Sequence, residues 1–378
     1  MKTTSLYIHY PFCLSKCHYC DFVSYPCLNK KIEDLTDFYL FELDSFYSYT
    51  NNRSISSIYF GGGTPSLMDT HLLDSILNKA HKLWHIDNNI EITMEANPKT
   101  VDHQKLQTFK SLGINRISLG VQSLDDKVLK FLGRIHSAND AIKTLSEIKN
   151  IFDNVSADFI YALPNQTLND WKFQLQKIKD LGLSHLSLYE LIIEENTKIF
   201  DWIQNGKIKP VDENIAVDMY NFTNDFLKDI LPQYEVSSYA KPLFQSKHNI
   251  NYWEGGDYIG IGPASASRLK LDNKFIINEN PANINDWKTL SQQRTSFTTT
   301  LTKTQRAEEL IIMGLRQIKG IDFKTFEENL GDSFFNFVDM NKIQAFEDRG
   351  LLLLSPDKIK VSKEGMLLLD TIILEIIK

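Results

Sequence analysis

The first half of this 378-residue chain alternates between strand-like and helix-like segments. Short apolar runs rich in β-branched and aromatic residues predict strands at residues 5–9, 57–60, 90–94, 116–120, 156–160 and 185–189. Helical patterns lie between them at residues 31–49, 71–83, 102–112, 125–132, 138–149 and 168–181.

This alternation predicts one architecture. Strands separated by helices form right-handed βαβ units around a parallel sheet. Six such units give an α/β fold of the incomplete TIM type, a (β/α)6 barrel. Binding and catalytic groups of such barrels gather at the carboxyl ends of the strands, so residues that directly follow the predicted strands are candidates for a functional site.

Three cysteines stand on a predicted loop directly after the first strand. Cys13, Cys17 and Cys20 have the spacing C-x3-C-x2-C. Three neighbouring thiolates can hold three irons of a [4Fe–4S] cluster, because thiolate sulfur is the preferred ligand of such clusters. The fourth iron then has no protein ligand and is open to chelation by a small molecule.

Other interpretations of these cysteines stay open from spacing alone. A zinc ion usually has four ligands, and His18 or Cys27 would supply the fourth. A disulfide framework needs an oxidising compartment and more cysteine than the four in this chain. Three isolated buried thiols are not expected to cluster so closely on a loop.

Several polar or flexible residues lie at or just after the carboxyl ends of the later strands, and one lies further along in a helical region. They are Gly61-Gly62-Gly63-Thr64 after the second strand, Glu95 after the third, Gln122 after the fourth and Asp158 in the fifth, with Arg134 in the fourth helical region. Each alone is more often a turn, a cap or a solvated charge. Together, at the same end of successive strands, they predict a shared binding site.

Composition limits the classes of protein that fit. A hydrophobic content of 42% and a charged content of 24% are typical of a globular protein. The formal net charge of −7 disfavours a nucleic-acid partner, since such binding depends on Lys and Arg that neutralise phosphates.

With no membrane-length apolar run and no signal peptide, the sequence predicts a cytoplasmic protein without a membrane span. Peripheral membrane association stays open.

The motifs, taken in order, resemble those of radical S-adenosylmethionine (SAM) proteins. They are the three cysteines, Gly61-Gly62-Gly63-Thr64-Pro65, Glu95-Ala96-Asn97-Pro98, Arg116-x-Ser118-x-Gly120-x-Gln122-Ser123 and Gly133-Arg134-x-His136. More narrowly, the chain is similar to the group related to oxygen-independent coproporphyrinogen III oxidase, and within it to the HemW-type heme chaperones. The likeness runs from Tyr7 to the C-terminus.

The resemblance implies a [4Fe–4S] cluster on the three cysteines, with SAM chelating the open iron. In such proteins an electron from the cluster cleaves the sulfonium of SAM to give a 5′-deoxyadenosyl radical. By matching motifs, Tyr7, Gly62 and Glu95 are predicted to contact SAM, and a carboxylate suits its ammonium group. Residues that match the second SAM site of the oxidases are predicted to line the same pocket: Tyr19, Gly63, Thr64, Gln122, Arg134 and Asp158.

A further motif, His248-Asn249-x-x-Tyr252-Trp253, is similar to a signature of the HemW-type chaperones, where the histidine is implicated as a heme ligand. A neutral imidazole is a common axial ligand of heme iron. A core histidine beside aromatic rings is the other interpretation.

The oxidases carry a fourth cysteine where this chain has Asp21-Phe22. The resemblance thus implies a chaperone that binds heme and passes it to acceptor hemoproteins. The alternative is an oxygen-independent coproporphyrinogen III oxidase, a radical SAM enzyme that decarboxylates a porphyrinogen.

The rest of the chain predicts a linker and a small C-terminal domain. Residues 281–296 are mostly polar without periodicity, which indicates a linker. Helices at 304–318, 322–329, 341–350 and 363–377, with a hairpin at 351–355 and 358–361, give a winged-helix-like order. The predicted domains are 1–200, the partial barrel; 201–296, the barrel extension and linker with the His248 motif; and 297–378, the winged-helix-like domain.

Overall fold

The computed structural model describes residues 2–27, 33–293 and 298–378. Its strands are β1 Lys2–Tyr10, β2 Phe12–Cys13, β3 Tyr25–Pro26, β4 Arg53–Gly62, β5 His85–Ala96, β6 Arg116–Gln122, β7 Asn154–Tyr161, β8 His185–Glu190, β9 Gln233–Glu235, β10 Ser238–Ala240, β11 Tyr258–Ile261, β12 Ala266–Leu271, β13 Lys274–Glu279, β14 Thr298–Leu301, β15 Ile321–Asp322, β16 Leu352–Leu354 and β17 Lys358–Val361. Its α-helices are α1 Thr36–Thr50, α2 Thr70–Leu83, α3 His103–Ser111, α4 Asp126–Phe131, α5 Ala138–Lys149, α6 Leu168–Asp180, α7 Lys198–Gln204, α8 Glu213–Leu227, α9 Lys247–Trp253, α10 Ile284–Gln293, α11 Lys303–Leu315, α12 Phe323–Leu330, α13 Met340–Asp348 and α14 Leu369–Ile376.

Twelve strands form one mixed sheet in the order β14-β13-β12-β11-β1-β4-β5-β6-β7-β8-β10-β9. Strands β1 and β4 to β8 pair in parallel and follow one another in chain order, which confirms the predicted six-unit partial barrel. Strand β11 adds to β1 in parallel, and antiparallel strands extend the sheet on both sides. Because β14 and β9 stand at the two ends of this order, the sheet is open.

Capping residues determine where several of the helices between these strands begin. Ser137 and Thr167 form capping boxes at the starts of α5 and α6, and the Asp69 side chain caps α2. Strand β6 is buried along its whole length, as expected for a parallel strand covered on both faces. Within the described part of the chain, no helix is both long and apolar enough to cross a membrane.

Three hydrophobic clusters organise the packing of the described residues, and the smallest comprises Leu132, Ile160, Leu163 and Ile199. The largest includes Leu6, Phe60 and Leu119 and lies between the barrel strands and their helices. The second includes Leu310 and Ile372 and belongs mainly to the C-terminal segment, which has its own three-stranded sheet in the order β15-β17-β16. The order α11-β15-α12-α13-β16-β17-α14 is winged-helix-like, as predicted, and β15 is an element that the sequence pattern did not indicate.

The predicted linker is wrong over most of its length. Residues 284–293 form helix α10, and its Trp287 is fully buried, with ring centroids 5.2 Å from Tyr39 and 5.7 Å from Phe38. The apolar residues of this helix, Ile284, Trp287 and Leu290, recur at helical spacing, but the repeat is short and the rest of the segment is polar. Helix α1 begins at Thr36 rather than at residue 31. Residues 31 and 32, and residues 294–296 of the predicted linker, lie outside the described residues.

Candidate cofactor-binding site

A cavity of about 400 Å³ opens at the carboxyl ends of the barrel strands. The predicted site residues that line it are Cys13, Cys17, Tyr19, Cys20, Gly62, Gly63, Thr64, Glu95, Gln122, Arg134 and Asp158. Tyr7 and His248 are the predicted site residues outside this lining. The parallel topology thus brings the cysteine loop and the polar strand ends to one place.

The glycine-rich turn after β4 holds the start of the cysteine loop. The backbone N–H of Gly63 donates to the carbonyl oxygen of Tyr10 at 2.7 Å, and that of Thr64 donates to Phe12 at 2.8 Å. A Cβ atom on Gly63 would stand 2.8 Å from the carbonyl oxygen of Phe12. Glycine is therefore needed at position 63 for the turn to approach the loop this closely.

The thiols receive hydrogen bonds from the walls of the cavity. The Thr64 hydroxyl donates to Sγ of Cys13 at 3.3 Å, and Nη1 of Arg134 donates to Sγ of Cys17 at 3.4 Å. Burial raises the pKa of the Cys20 thiol to about 11. Cluster binding would have to displace that proton, since the thiolate is the ligand form.

The described residues around the cysteines do not form a zinc site. Among the described residues, no three Cys, His, Asp or Glu side chains converge on a single metal ion. Thiolates on a cubane each bind a different iron, so they stand farther apart than ligands of one ion. His18 is engaged elsewhere, with Nδ1 2.8 Å from the carbonyl oxygen of Phe131, and Cys27 lies outside the cavity lining. The zinc alternative is disfavoured.

Two carboxyl groups project into the cavity from β5 and β7. Glu95 accepts a hydrogen bond from the Tyr59 hydroxyl at 2.7 Å, and burial, reinforced by the nearby Asp158, raises the pKa of Glu95 to about 7. Asp158 accepts from the Ser118 hydroxyl at 3.2 Å, and burial raises its pKa as well. These are acceptors that a cationic ligand would stabilise in the charged form.

Arg134 and Asn97 join several walls of the cavity. The Arg134 guanidinium donates to the carbonyl oxygen of Gly120 at 2.6 Å and to Oδ1 of Asn97. The Asn97 amide in turn donates to the Thr64 hydroxyl at 3.0 Å. Tyr19 also lies beside Arg134, and burial raises the pKa of its phenol far above the ordinary value.

Sequence reasoning did not assign Tyr59, Asn97 or Ser118 to the site. Asn97 and Ser118 stand inside motifs that carried the resemblance, and Tyr59 lies two positions before the glycine run. Their positions in or beside these motifs were a usable signal, but their hydrogen-bond partners lie far from them in the chain.

Gln122 reaches the cavity through an irregular strand end. The β6–β7 pairing shifts register between Gly120 and Gln122, and Gln122 has a φ of 69°. A non-glycine residue in this left-handed region carries local strain, and a bulge re-aims the side chain that follows it. This geometry places Gln122 beside Glu95 and Asp158 in the lining.

The exposed rim of the cavity carries large apolar side chains among charged ones, which include Asp21, Glu190 and Glu194. Phe22 is 61% exposed, Tyr189 45% and Ile192 68%, and all three line the cavity. Lys16 adds a positive charge to the same lining. Large exposed apolar side chains grouped around a cavity are typical of a surface that binds an apolar partner or ligand.

His248 lies in the interior, away from this rim. Its side chain is fully buried, with Nδ1 2.8 Å from the Ser57 hydroxyl and Nε2 hydrogen-bonded to the Tyr252 hydroxyl. Burial lowers the pKa of the imidazole to about 3, so it is neutral. Both ring nitrogens are engaged, and ligation of heme iron by His248 stays a prediction that requires one of these bonds to open.

Tyr7 occupies the layer beneath the cavity. Its ring lies 6.2 Å from that of Tyr59, and its hydroxyl is 3.2 Å from Nδ1 of His9. Nε2 of His9 is 3.1 Å from the carbonyl oxygen of Val23, in the cysteine loop. Tyr7 therefore supports the loop, and its contact with SAM stays a prediction.

Comparisons with known proteins agree with this architecture. Residues 7–178 match the family model of the radical SAM superfamily, and residues 301–368 match that of the HemN C-terminal domain. The chain is 37% identical to a protein of Buchnera aphidicola named heme chaperone HemW, over 98% of this chain and 97% of that protein. It is 34% identical to the mouse mitochondrial radical S-adenosyl methionine domain-containing protein 1, over 99% and 87%.

The solved structure of coproporphyrinogen III oxidase from Escherichia coli has a similar fold. The TM-score is 0.78 at 20% identity, and the match covers 99% of this chain and 89% of that one. At this level of identity the likeness concerns the fold.

A partial barrel whose mouth joins a three-cysteine loop to a glycine-rich turn is the architecture of radical SAM proteins, and this chain is one of them. Within that superfamily it belongs to the HemW-type family. Its cofactors are accordingly a [4Fe–4S] cluster and SAM, and the thiols and carboxylates of the cavity suit both in kind.

Proposed function

We propose that this protein is a cytoplasmic heme chaperone that binds a SAM-liganded [4Fe–4S] cluster and heme, and transfers the heme to acceptor hemoproteins. The observation that carries the proposal is one cavity that combines three thiols, the buried carboxyl groups of Glu95 and Asp158, and exposed apolar side chains at its rim. Full-length relatives named heme chaperone HemW support it.

The chemistry of the cavity residues indicates which of them would bind the cluster and which would bind SAM. Cys13, Cys17 and Cys20 would hold the cluster, which supplies an electron for reductive cleavage of SAM when both are bound. Glu95 offers a carboxylate to the SAM ammonium, since such charge-assisted hydrogen bonds are strong. Arg134 offers planar donors to a carboxylate.

Heme would bind at the rim of the cavity. A porphyrin is flat and apolar, and Phe22, Tyr189 and Ile192 offer apolar surface at the cavity mouth. Its propionates are anionic and could pair only with Lys16 among the exposed charged side chains of this lining, because Asp21, Glu190 and Glu194 are acidic. A ligand held on an exposed rim can also be released to another protein without unfolding of the barrel.

The predicted axial role of His248 has a structural condition. The imidazole would have to give up its bond to Tyr252 or to Ser57 before a ring nitrogen could bind iron. Titration of reconstituted protein with hemin, wild type beside His248→Ala, tests this role. A changed Soret spectrum in the variant supports ligation, and identical spectra and affinities remove His248 as the ligand.

Anaerobic reconstitution tests the cluster. We expect iron and sulfide in the ratio of one [4Fe–4S] cluster per chain, with broad visible absorbance, and loss of both in Cys17→Ser. Cys27→Ser is the matched control, because Cys27 lies outside the cavity lining. A wild-type protein that reconstitutes with zinc and shows no such absorbance would contradict the proposal.

The oxidase alternative has its own test. Anaerobic incubation with coproporphyrinogen III, SAM and a reductant should give no product at a catalytic rate, because Asp21 and Phe22 stand in the cavity where the oxidases have a further cysteine. Catalytic product formation would replace the chaperone proposal with the oxidase one.

A further inference from the structure

The helix that carries the His248 motif docks inside the barrel beneath the SAM site. The backbone N–H groups of Lys247 and His248 each lie 3.2 Å from a carboxylate oxygen of Glu91 in β5. On the neighbouring strand β4, Ser57 hydrogen-bonds to the His248 ring. Helix α9 is therefore held by one residue on each of two adjacent barrel strands.

The same two strands carry the next pair of functional side chains. Tyr59 lies two residues after Ser57 and Glu95 lies four after Glu91, so each shares a strand face with the residue that anchors α9. Tyr59 and Glu95 are joined by the 2.7 Å hydrogen bond. The anchors of α9 and the Tyr59–Glu95 pair thus form two successive layers of the barrel interior.

Tyr59 bridges these layers. Its ring stacks on the His248 ring with centroids 5.0 Å apart and planes 28° apart. Its hydroxyl is the donor to Glu95, and burial keeps that hydroxyl neutral by raising its pKa far above the ordinary value. The His248 ring is therefore packed against the tyrosine whose hydroxyl bonds to Glu95.

We propose that Tyr59 is a positioning residue for SAM binding, and that helix α9 acts on the SAM site through it. His248, fixed by Ser57 and Tyr252, supports the Tyr59 ring, and Tyr59 holds the Glu95 carboxylate toward the SAM ammonium. The proposal rests on the assignment of Glu95 to SAM in the proposed function. It gives the His248 motif a role in SAM binding that does not depend on heme.

The charged and polar groups around Glu95 determine how loss of the Tyr59–Glu95 hydrogen bond changes the protonation of Glu95. Glu95 faces Tyr59 from β4, Arg116 from β6, Asp158 from β7 and the backbone N–H of Gly62. Tyr59, Gly62 and Arg116 favour the carboxylate, whereas Asp158 disfavours it. Removal of the Tyr59 hydroxyl therefore shifts Glu95 toward its protonated form, which pairs poorly with an ammonium group.

Equilibrium dialysis of SAM against the anaerobically reconstituted full chain, from pH 6 to 8.5, tests the role of Tyr59. We expect Tyr59→Phe to bind SAM roughly tenfold more weakly at pH 7. The deficit should shrink toward pH 8.5 as Glu95 ionises, so the pH midpoint of binding moves upward. Tyr239→Phe is the matched control, because its buried hydroxyl donates to Asn224, outside the cavity lining. It should bind SAM like the wild type.

A second pair of variants tests helix α9. His248→Ala removes the ring beneath Tyr59 and should weaken SAM binding roughly fivefold, whereas His248→Phe keeps a ring there and should restore near-wild-type affinity. Thermal unfolding of each reconstituted variant measures separately how much stability the substitution removes from the fold. Loss of stability in His248→Ala with unchanged SAM affinity and pH midpoint would overturn the role of α9.

Two outcomes separate the inference from the function on which it rests. If Glu95→Gln abolishes SAM binding but Tyr59→Phe matches the wild type at every pH, the positioning role is wrong and the proposed SAM site stands. If the reconstituted wild type binds no SAM, both are overturned.

Discussion

Nη1 of Arg134 lies 3.4 Å from Sγ of Cys17, although 117 positions separate the two residues in the chain. The same guanidinium donates to Gly120 in β6 and to Asn97 just after β5. Arg134 therefore ties the cysteine loop to two strand ends. Because a guanidinium stays protonated in proteins, it places a permanent positive charge beside a predicted cluster ligand.

Arg134→Gln should make the reduction potential of the cluster more negative by about 50–100 mV. Reduction adds a negative charge to the cluster, and hydrogen bonds to its sulfurs stabilise that charge. A redox titration followed by electron paramagnetic resonance measures the shift. Lys16→Gln is the control for loss of a positive charge from the same lining. Equal shifts of the reduction potential in the two variants would contradict a specific effect of Arg134 on Cys17.

Gly63→Ala should reduce the cluster content per chain and lower the free energy of unfolding by about 1–3 kcal/mol. The new methyl group would meet backbone atoms of Tyr10, Pro11 and Phe12 at 2.8–3.0 Å, so the cysteine loop would have to shift. Iron analysis and chemical denaturation provide the two measurements. Gly206→Ala, with open space around it and a φ of 67°, should lose some stability but keep its cluster. Full cluster content in Gly63→Ala would show that the loop tolerates the shift.

Glu95→Gln should stabilise the cluster-free protein relative to the wild type by about 1–3 kcal/mol at pH 8. The pKa of Glu95 is raised to about 7 in the folded protein from its ordinary value of 4.5. Between these values the folded state binds more protons than the unfolded state, so the contribution of Glu95 to stability is lost as pH rises. Denaturation at pH 4.5 to 8 should show a difference that grows with pH. The exposed Glu364→Gln is the control, and a difference independent of pH would contradict this origin.

Phe22→Ser and Ile192→Ser should each weaken hemin binding by about 1–2 kcal/mol, which is roughly fivefold to thirtyfold. Both side chains are largely exposed at the cavity rim, and a bound porphyrin would bury them. Absorbance titration with hemin measures the affinity. Leu374→Ser, at a side chain 78% exposed on helix α14, is the matched control. Equal affinities in the rim variants and the wild type would place heme away from this rim.

The predicted strands and most of the predicted helices were correct because their signals are local. Strand β6 alternates the apolar residues Ile117, Leu119 and Val121 with polar or glycine positions, and helices such as α5 and α6 begin with capping residues next to an amphipathic pattern. Helix α10 escaped prediction because one buried side chain, Trp287, makes its main contact with α1. Such a contact depends on a distant partner, and the apolar repeat of α10 is confined to three residues in a segment that is otherwise polar.

The sequence by itself predicted the barrel, because strand–helix alternation is a property of short segments. Cysteine spacing alone left a zinc site open, and the cluster with SAM was implied by the resemblance that the ordered motifs carry. Only the tertiary structure decided what surrounds each group. It gathered the cysteines, Glu95, Arg134 and Asp158 around one cavity, and it placed His248 in the interior with both ring nitrogens engaged. Whether an imidazole faces a ligand or a neighbouring strand depends on contacts between residues far apart in the chain, and no local pattern records them.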